Sequence, residues 1–221
     1  MGSTNRDVFA GTMPVSERNR FDLAKLEAYL RQHIDGFGGP LEVEQFKGGQ
    51  SNPTFRLGAG EKRYVLRRKP PGKLLPSAHA VDREYRVMTA LRDSDVPVPK
   101  TQCLCTDDSV IGTAFFVMDC VDGRIFWNPS LPGMNQLERM AIFAEMNRVI
   151  ATLHKVDYRA LGLADYGKTG NYFARQIARW TKQYHASETE KIEAMNAVVP
   201  PTLRRGQFRA PDKLIASLHG T

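Results

Sequence analysis

The chain has 221 residues, 42% hydrophobic and 25% charged, enough apolar material for one domain or two small ones and too much for wholesale disorder. Thirty-one Lys and Arg against 24 Asp and Glu give a formal charge of +7, concentrated between Glu61 and Lys73, where six cations meet one acid. No apolar run approaches the ~20 residues of a membrane span, and Met1 to Ala10 lacks the apolar centre of a secretory signal.

Cys103, Cys105 and Cys120 are too few, and odd in number, for a disulfide framework, so a reducing, cytoplasmic setting is expected. Two thiols with no CxxC or paired histidines make a poor metal site, and Cys103 and Cys105 are expected as small buried residues. The basic cluster suits phosphates on a small ligand or on a nucleic acid backbone. No RNP, zinc-finger or helix-turn-helix pattern supports nucleic acid as a partner.

In chain order, Phe21 to Ile34 is expected as a helix, with Leu23, Leu26, Leu30 and Ile34 on one stripe, stopped by Gly36 to Pro40. Strands are expected at Leu41 to Phe46, Thr54 to Leu57 and Arg63 to Arg68, with turns at Lys47 to Pro53 and Gly58 to Gly60. A helix from about Ala78 to Leu91 follows, then strands at Thr101 to Thr106 and Ile111 to Met118. The pattern then becomes helical, at Gln136 to Val156 and Asn171 to Ala186. The tail from Pro200 shows weak periodicity. Sheet first and helices second imply an α+β chain with a boundary near residues 119–123. The expected parts are an N-terminal extension (1–20), a sheet lobe (21–122), a helical part (123–199) and an atypical tail (200–221).

Between Ala78 and Leu91, Val81, Tyr85, Met88 and Leu91 form an apolar stripe, and Glu84 falls inside it. A carboxylate on a buried face needs a cation. In the preceding strand Tyr64, Leu66 and Arg68 share one face, and Arg63, Val65 and Arg67 the other. Arg67 is the expected partner of Glu84. Such a strand-to-helix pair either holds ATP phosphates, as in kinases, or is an ordinary rim ion pair. Likewise, the turn Gly48-Gly49-Gln50-Ser51-Asn52 either offers N–H groups to phosphate or is a plain hairpin. His154 is expected to pack. Trp127 and Trp180 are expected in a core or between lobes.

The order of these parts is that of a kinase small lobe. The run Gly48 to Phe55, the stretch Tyr64 to His79 with its Lys73-Leu74-Leu75-Pro76-Ser77-Ala78-His79 segment, and Asp82 to Met88 resemble the aminoglycoside phosphotransferase and choline kinase-like family. The branch most resembled is the kinase domain found with acyl-CoA dehydrogenase family members ten and eleven, and its stand-alone bacterial relatives. Phe115 to Asp119 with Val121 to Arg124, Leu153-His154, Tyr166 to Lys168 and Asn171 to Trp180 extend the resemblance over about Phe21 to Glu190.

The resemblance implies a protein kinase-like two-lobe fold with a complete antiparallel-sheet small lobe and an incomplete helical large lobe. It implies ATP as cofactor, with Arg67 at the phosphate-binding position and Glu84 as its helix partner. Gly48, Gly49, Gln50, Ser51 and Asn52 would cover the triphosphate. Val65 and Met118 would line the base, and the backbone of Asp119, Cys120 and Val121 would hydrogen-bond adenine. The family's catalytic His-Gly-Asp loop and its Mg²⁺-binding Asn and Asp have no counterpart: His219-Gly220 is followed by Thr221. The expected function is ATP-dependent phosphorylation of a small-molecule hydroxyl, such as that of a hydroxyacyl-CoA, with this truncated chain inactive. The alternative is a non-catalytic remnant that binds nucleotide or a partner protein. Oligomeric state is left open.

Overall fold

The computed structural model describes residues 11–48, 52–72, 79–126, 128–167, 170–187, 189–190 and 193. Gly49, Gln50, Ser51, Trp127, His219, Gly220 and the tail from residue 200 lie outside them. The chain separates into two compact units, Met1–Leu163 and Ala164–Thr221.

The first unit is built on a six-stranded antiparallel sheet. Its strands are β1 (Thr12–Met13), β2 (Leu41–Phe46), β3 (Thr54–Ala59), β4 (Lys62–Arg68), β5 (Thr101–Cys105) and β6 (Phe115–Asp119), in the order β1-β2-β3-β4-β6-β5. The expected N-terminal extension is thus partly integrated, since Thr12 pairs with Phe46 at the sheet edge. β2, β3 and β4 form a meander in which Val43 opposes Leu57 and Leu57 opposes Tyr64. Two glycines let its far turn close. Gly39 has φ +83°, and a Cβ there would lie 2.7 Å from the backbone nitrogen of Gly60, so a side chain is excluded by both conformation and contact.

Helix α1 (Leu23–His33) begins at Asp22, whose carboxylate accepts from the Lys25 N–H at 3.1 Å. It lays Leu26 and Leu30 on one face of the sheet, in a core with Phe55, Leu57, Tyr64, Leu66, Cys103, Cys105, Phe115 and Val117. Helix α2 (Val81–Ala90) covers the other face, where Val81, Ala114 and Phe116 are buried with Tyr85, Met88, Leu104 and Met118 against them. Both cysteines of the 103/105 pair are buried and unpaired, as their alternation implies. Desolvation, reinforced by Cys105, pushes the Cys103 thiol up to about 12.

The expected strand from Ile111 starts four residues late. The Asp107 carboxylate accepts from the Ser109 N–H at 2.8 Å and opens a single helical turn, α3 (Asp108–Ile111), which Gly112 ends at φ +83°.

Arg68, one of the six clustered cations, does not join a phosphate site. It is 2% exposed on the α1 face. Its guanidinium donates to the carbonyls of Ile111 (3.2 Å) and Asn19 (3.1 Å) and lies 5.1 Å from the Phe21 ring centroid and 5.5 Å from that of Phe55. Its Nε has no partner. Burial without a carboxylate holds its pKa below the usual arginine value.

Helix α4 (Gln136–Lys155) belongs to the first unit and starts with a capping box. Glu138 N–H donates to the Asn135 side chain at 2.9 Å, and Asn135 N–H donates to the Glu138 carboxylate at 2.8 Å. None of its residues is buried; Met140, Phe143, Met146, Ile150 and Leu153 stand exposed along it. The second unit carries α5 (Tyr172–Ser187). Trp180, expected in a core or between lobes, is 61% exposed and so is not in a core within its unit. Periodicity specifies which face of a helix is apolar, not what covers that face. No helix of the described residues is long and apolar enough to cross a membrane.

Candidate functional site: a strand arginine clamped by a helix carboxylate

The α2 face of the sheet carries the candidate site. Alternation along β4 puts Arg63, Val65 and Arg67 on that face. Antiparallel pairing then sets Met118 directly opposite Val65, and Phe116 opposite Arg67. Val65 is buried and Met118 half-buried against the α2 cluster. Above them, α2 turns Glu84 toward the strand. Arg67 Nε donates to Glu84 Oε2 at 2.6 Å, and Nη2 lies 3.4 Å from Oε1. Both side chains keep about a third of their surface open, 31% and 36%. The pair is therefore neither sealed in the core nor fully solvated, and a guanidinium carries more N–H donors than the Nε and Nη2 that meet Glu84.

The side chain of Asn52 turns into this pair. Asn52 is 4% exposed. Its amide nitrogen donates to Glu84 Oε1 at 3.0 Å, and its oxygen meets His79 Nδ1 at 2.8 Å. A carboxylate has no proton to donate, so the amide nitrogen must face Glu84 and the oxygen must face the imidazole. Nδ1 of His79 therefore carries the proton. His79 was missed by sequence reasoning: it is 27 residues from Asn52, precedes α2, and sits on no periodic stripe.

At the other end of the face, β6 runs into Cys120 and Val121. The Asp119 N–H donates to the Lys100 carbonyl at 2.8 Å and the Cys120 N–H to the Arg63 carbonyl at 3.2 Å. Gln102 Nε2 donates to the Asp119 carboxylate at 2.5 Å. The N–H groups of Asp119 and Cys120 are thus taken up within the protein. Val121 is 68% exposed. Arg63, on the same sheet face as Arg67, is engaged by Asp122 at 2.5 Å.

Among the described residues no three of His, Cys, Asp and Glu lie close enough to hold a metal ion. Beside Arg67 the one carboxylate that reaches it, Glu84, is already bound by Arg67 and Asn52. These residues do not fit a Mg²⁺ site, and no step through the ion is derived from them.

Comparison with known proteins identifies the family. The model of a phosphotransferase enzyme family, APH, matches residues 42–210. Acyl-CoA dehydrogenase family member 11 of Rattus norvegicus is 48% identical over 194 residues, 86% of this chain and 25% of its own length. Family member 10 of Mus musculus is 45% identical over 216 residues, 92% of this chain and 20% of its own. The chain thus spans a quarter or less of these curated relatives. A crystal structure from Ralstonia eutropha, provisionally named an aminoglycoside phosphotransferase, is 59% identical, with a TM-score of 0.71 over 81% of this chain and 52% of that one. By sequence match over most of its length and by its α+β, protein kinase-like fold, the chain belongs to the APH phosphotransferase enzyme family.

Proposed function

We propose that these residues are the nucleotide-binding part of a small-molecule kinase that transfers the γ-phosphoryl group of ATP to a hydroxyl. The observation that carries this reading is the Arg67–Glu84 pair, a strand cation locked by a helix carboxylate beside the Val65/Met118 apolar surface. In this reading Arg67 meets the phosphates, Val65 and Met118 line one face of the base, and the adenine-edge groups are the Asp119 carbonyl and the Val121 N–H. The Gly48 to Ser51 backbone covers the triphosphate. Phosphoryl transfer depends on positioning and charge neutralisation, and an arginine in this place supplies both to the nucleotide.

For the acceptor, the names of the curated relatives favour a hydroxyl on an acyl-CoA-type metabolite. The 221 residues bind nucleotide but turn it over negligibly on their own. The described donor set offers no metal site, and the sequence holds no His-Gly-Asp loop. The test is titration of ATP into the purified 221-residue chain by calorimetry and by thermal shift. Saturation at about a hundred times Kd stabilises the chain by about 2.7 kcal/mol, and Arg67→Ala removes most of that gain. No ATP-induced stabilisation in the parent chain would overturn the binding reading. ADP release with a 3-hydroxyacyl-CoA at ordinary kinase rates would overturn the reading that these residues alone are inactive.

A further inference from the structure

Arg67 does not stand alone with Glu84. Behind the pair runs a hydrogen-bonded chain of four side chains: His79 Nδ1–H to Asn52 Oδ1, Asn52 Nδ2–H to Glu84 Oε1, and, from the other end, Arg67 Nε–H to Glu84 Oε2. Three features mark this chain as built rather than incidental. Asn52 is 4% exposed with both ends of its amide matched, and a buried amide is costly when either end is left unpaired. His79 is held at φ +58°, a left-handed conformation that few non-glycine residues adopt and that the surroundings must over-determine. The donors converge on the Glu84 carboxylate. The imidazole must donate, the amide relays, and the carboxylate collects two donors on opposite oxygens.

We infer that Asn52 and His79 are positioning residues that fix the Glu84 carboxylate, and through it the Arg67 guanidinium, in the geometry that meets a nucleotide triphosphate. Without Asn52, Glu84 has Arg67 as its one named partner and swings with it; with Asn52 in place one oxygen is anchored to the strand side and the other holds Nε. His79 enters the opposite end, immediately before α2, so the relay ties the start of that helix to the strand. This inference rests on the nucleotide-binding reading above.

The experiment measures ATP and adenosine affinities for the 221-residue chain and four variants, with thermal midpoints recorded for each. Asn52→Ala and His79→Gly each remove a donor; glycine is chosen because it accepts φ +58° and so loses the imidazole without adding strain. His79→Asn keeps an N–H donor at the position of Nδ1 and tolerates the left-handed backbone. Asn52→Asp sets a second carboxylate against Glu84. ATP is expected to weaken about tenfold in Asn52→Ala and His79→Gly and further in Asn52→Asp, the scale of losing one hydrogen bond to a charged group. Adenosine changes less than twofold throughout, and His79→Asn keeps ATP affinity within threefold of the parent. A merely structural role would lower adenosine and ATP together, or move the thermal midpoint without separating them; either result overturns the inference. If the parent binds ATP and the variants match it, the relay does not position the pair. A parent that does not bind ATP overturns the nucleotide reading on which the relay depends.

Discussion

Two adjacent arginines on one strand should respond to the same substitution in opposite ways. Arg68→Met removes a guanidinium that is 2% exposed and bonded to the carbonyls of Ile111 and Asn19. Methionine keeps most of the stem's volume but cannot donate. The buried Ile111 carbonyl then loses a charge-assisted bond, about 1–3 kcal/mol, with a smaller loss at the half-buried Asn19 carbonyl. The contacts over Phe21 and Phe55 add about 0.5–1 kcal/mol each. Relief of an uncompensated buried charge, whose Nε already lacks a partner, works the other way by a few kcal/mol at most. The net expectation is a destabilisation of about 2–3 kcal/mol. Arg67→Met breaks an ion pair about a third exposed, worth about 0–1 kcal/mol. Urea denaturation of the 221-residue chain reads both. With a slope of about 2 kcal/mol per molar, Arg68→Met lowers the midpoint by about 1 M or more and Arg67→Met by less than half that. For ATP affinity the order reverses: Arg67→Met loses it and Arg68→Met keeps it. Equal midpoints, or an Arg68 variant as stable as the parent, would refute the assignment of the two side chains to opposite faces and separate tasks.

Thiol chemistry should follow burial. At pH 8 an aromatic disulfide reagent is expected to modify Cys120 in the native chain, and Cys103 and Cys105 only on unfolding. The Cys103 thiol is raised from 9.0 to about 12 in the folded chain. The unfolded chain then loses its proton first, so stability falls as pH rises from about 9 to about 12; a Cys103→Ala variant, compared with the parent across that range, should lack this part of the slope. On α4, Met146 and Ile150 are 51% and 48% exposed. Replacing both with Glu is expected to change stability by less than about 0.5 kcal/mol per site and to reduce binding of a hydrophobic dye. A loss of cooperative unfolding would show instead that this face packs.

The parts of this fold that were legible from sequence are those that depend on local periodicity. Leu23, Leu26, Leu30 and Ile34 announced α1, and the alternation Tyr64-Val65-Leu66-Arg67-Arg68 separated the two arginines onto opposite faces before any packing was known. The strand-to-helix pair was legible because Glu84 interrupts an apolar stripe. Alternation does not say which face is sealed, so in sequence Arg68 is one more cation of the basic cluster. The α3 turn was hidden because Asp107 and Gly112 cap it through local hydrogen bonds while Val110 and Ile111 read equally well as strand. The contact between Asn52 and His79 was out of reach for a different reason. Their bond joins positions 27 apart, brought together by tertiary packing rather than by any repeat.

The strand order has a consequence for how the chain acquires this face during synthesis. β2, β3 and β4 are sequential neighbours and can pair as soon as they emerge, but the partner of β4 on its other side is β6, not β5. Until Phe115 to Asp119 has been made, the ladder groups of Tyr64 to Arg68 stay open, and β5 has no strand to join. A nascent chain that stops short of residue 119 therefore presents the arginine-bearing strand as a raw edge, available to any other extended segment. Completion of the Arg67 face and protection of that edge are one event, set by the arrival of five residues.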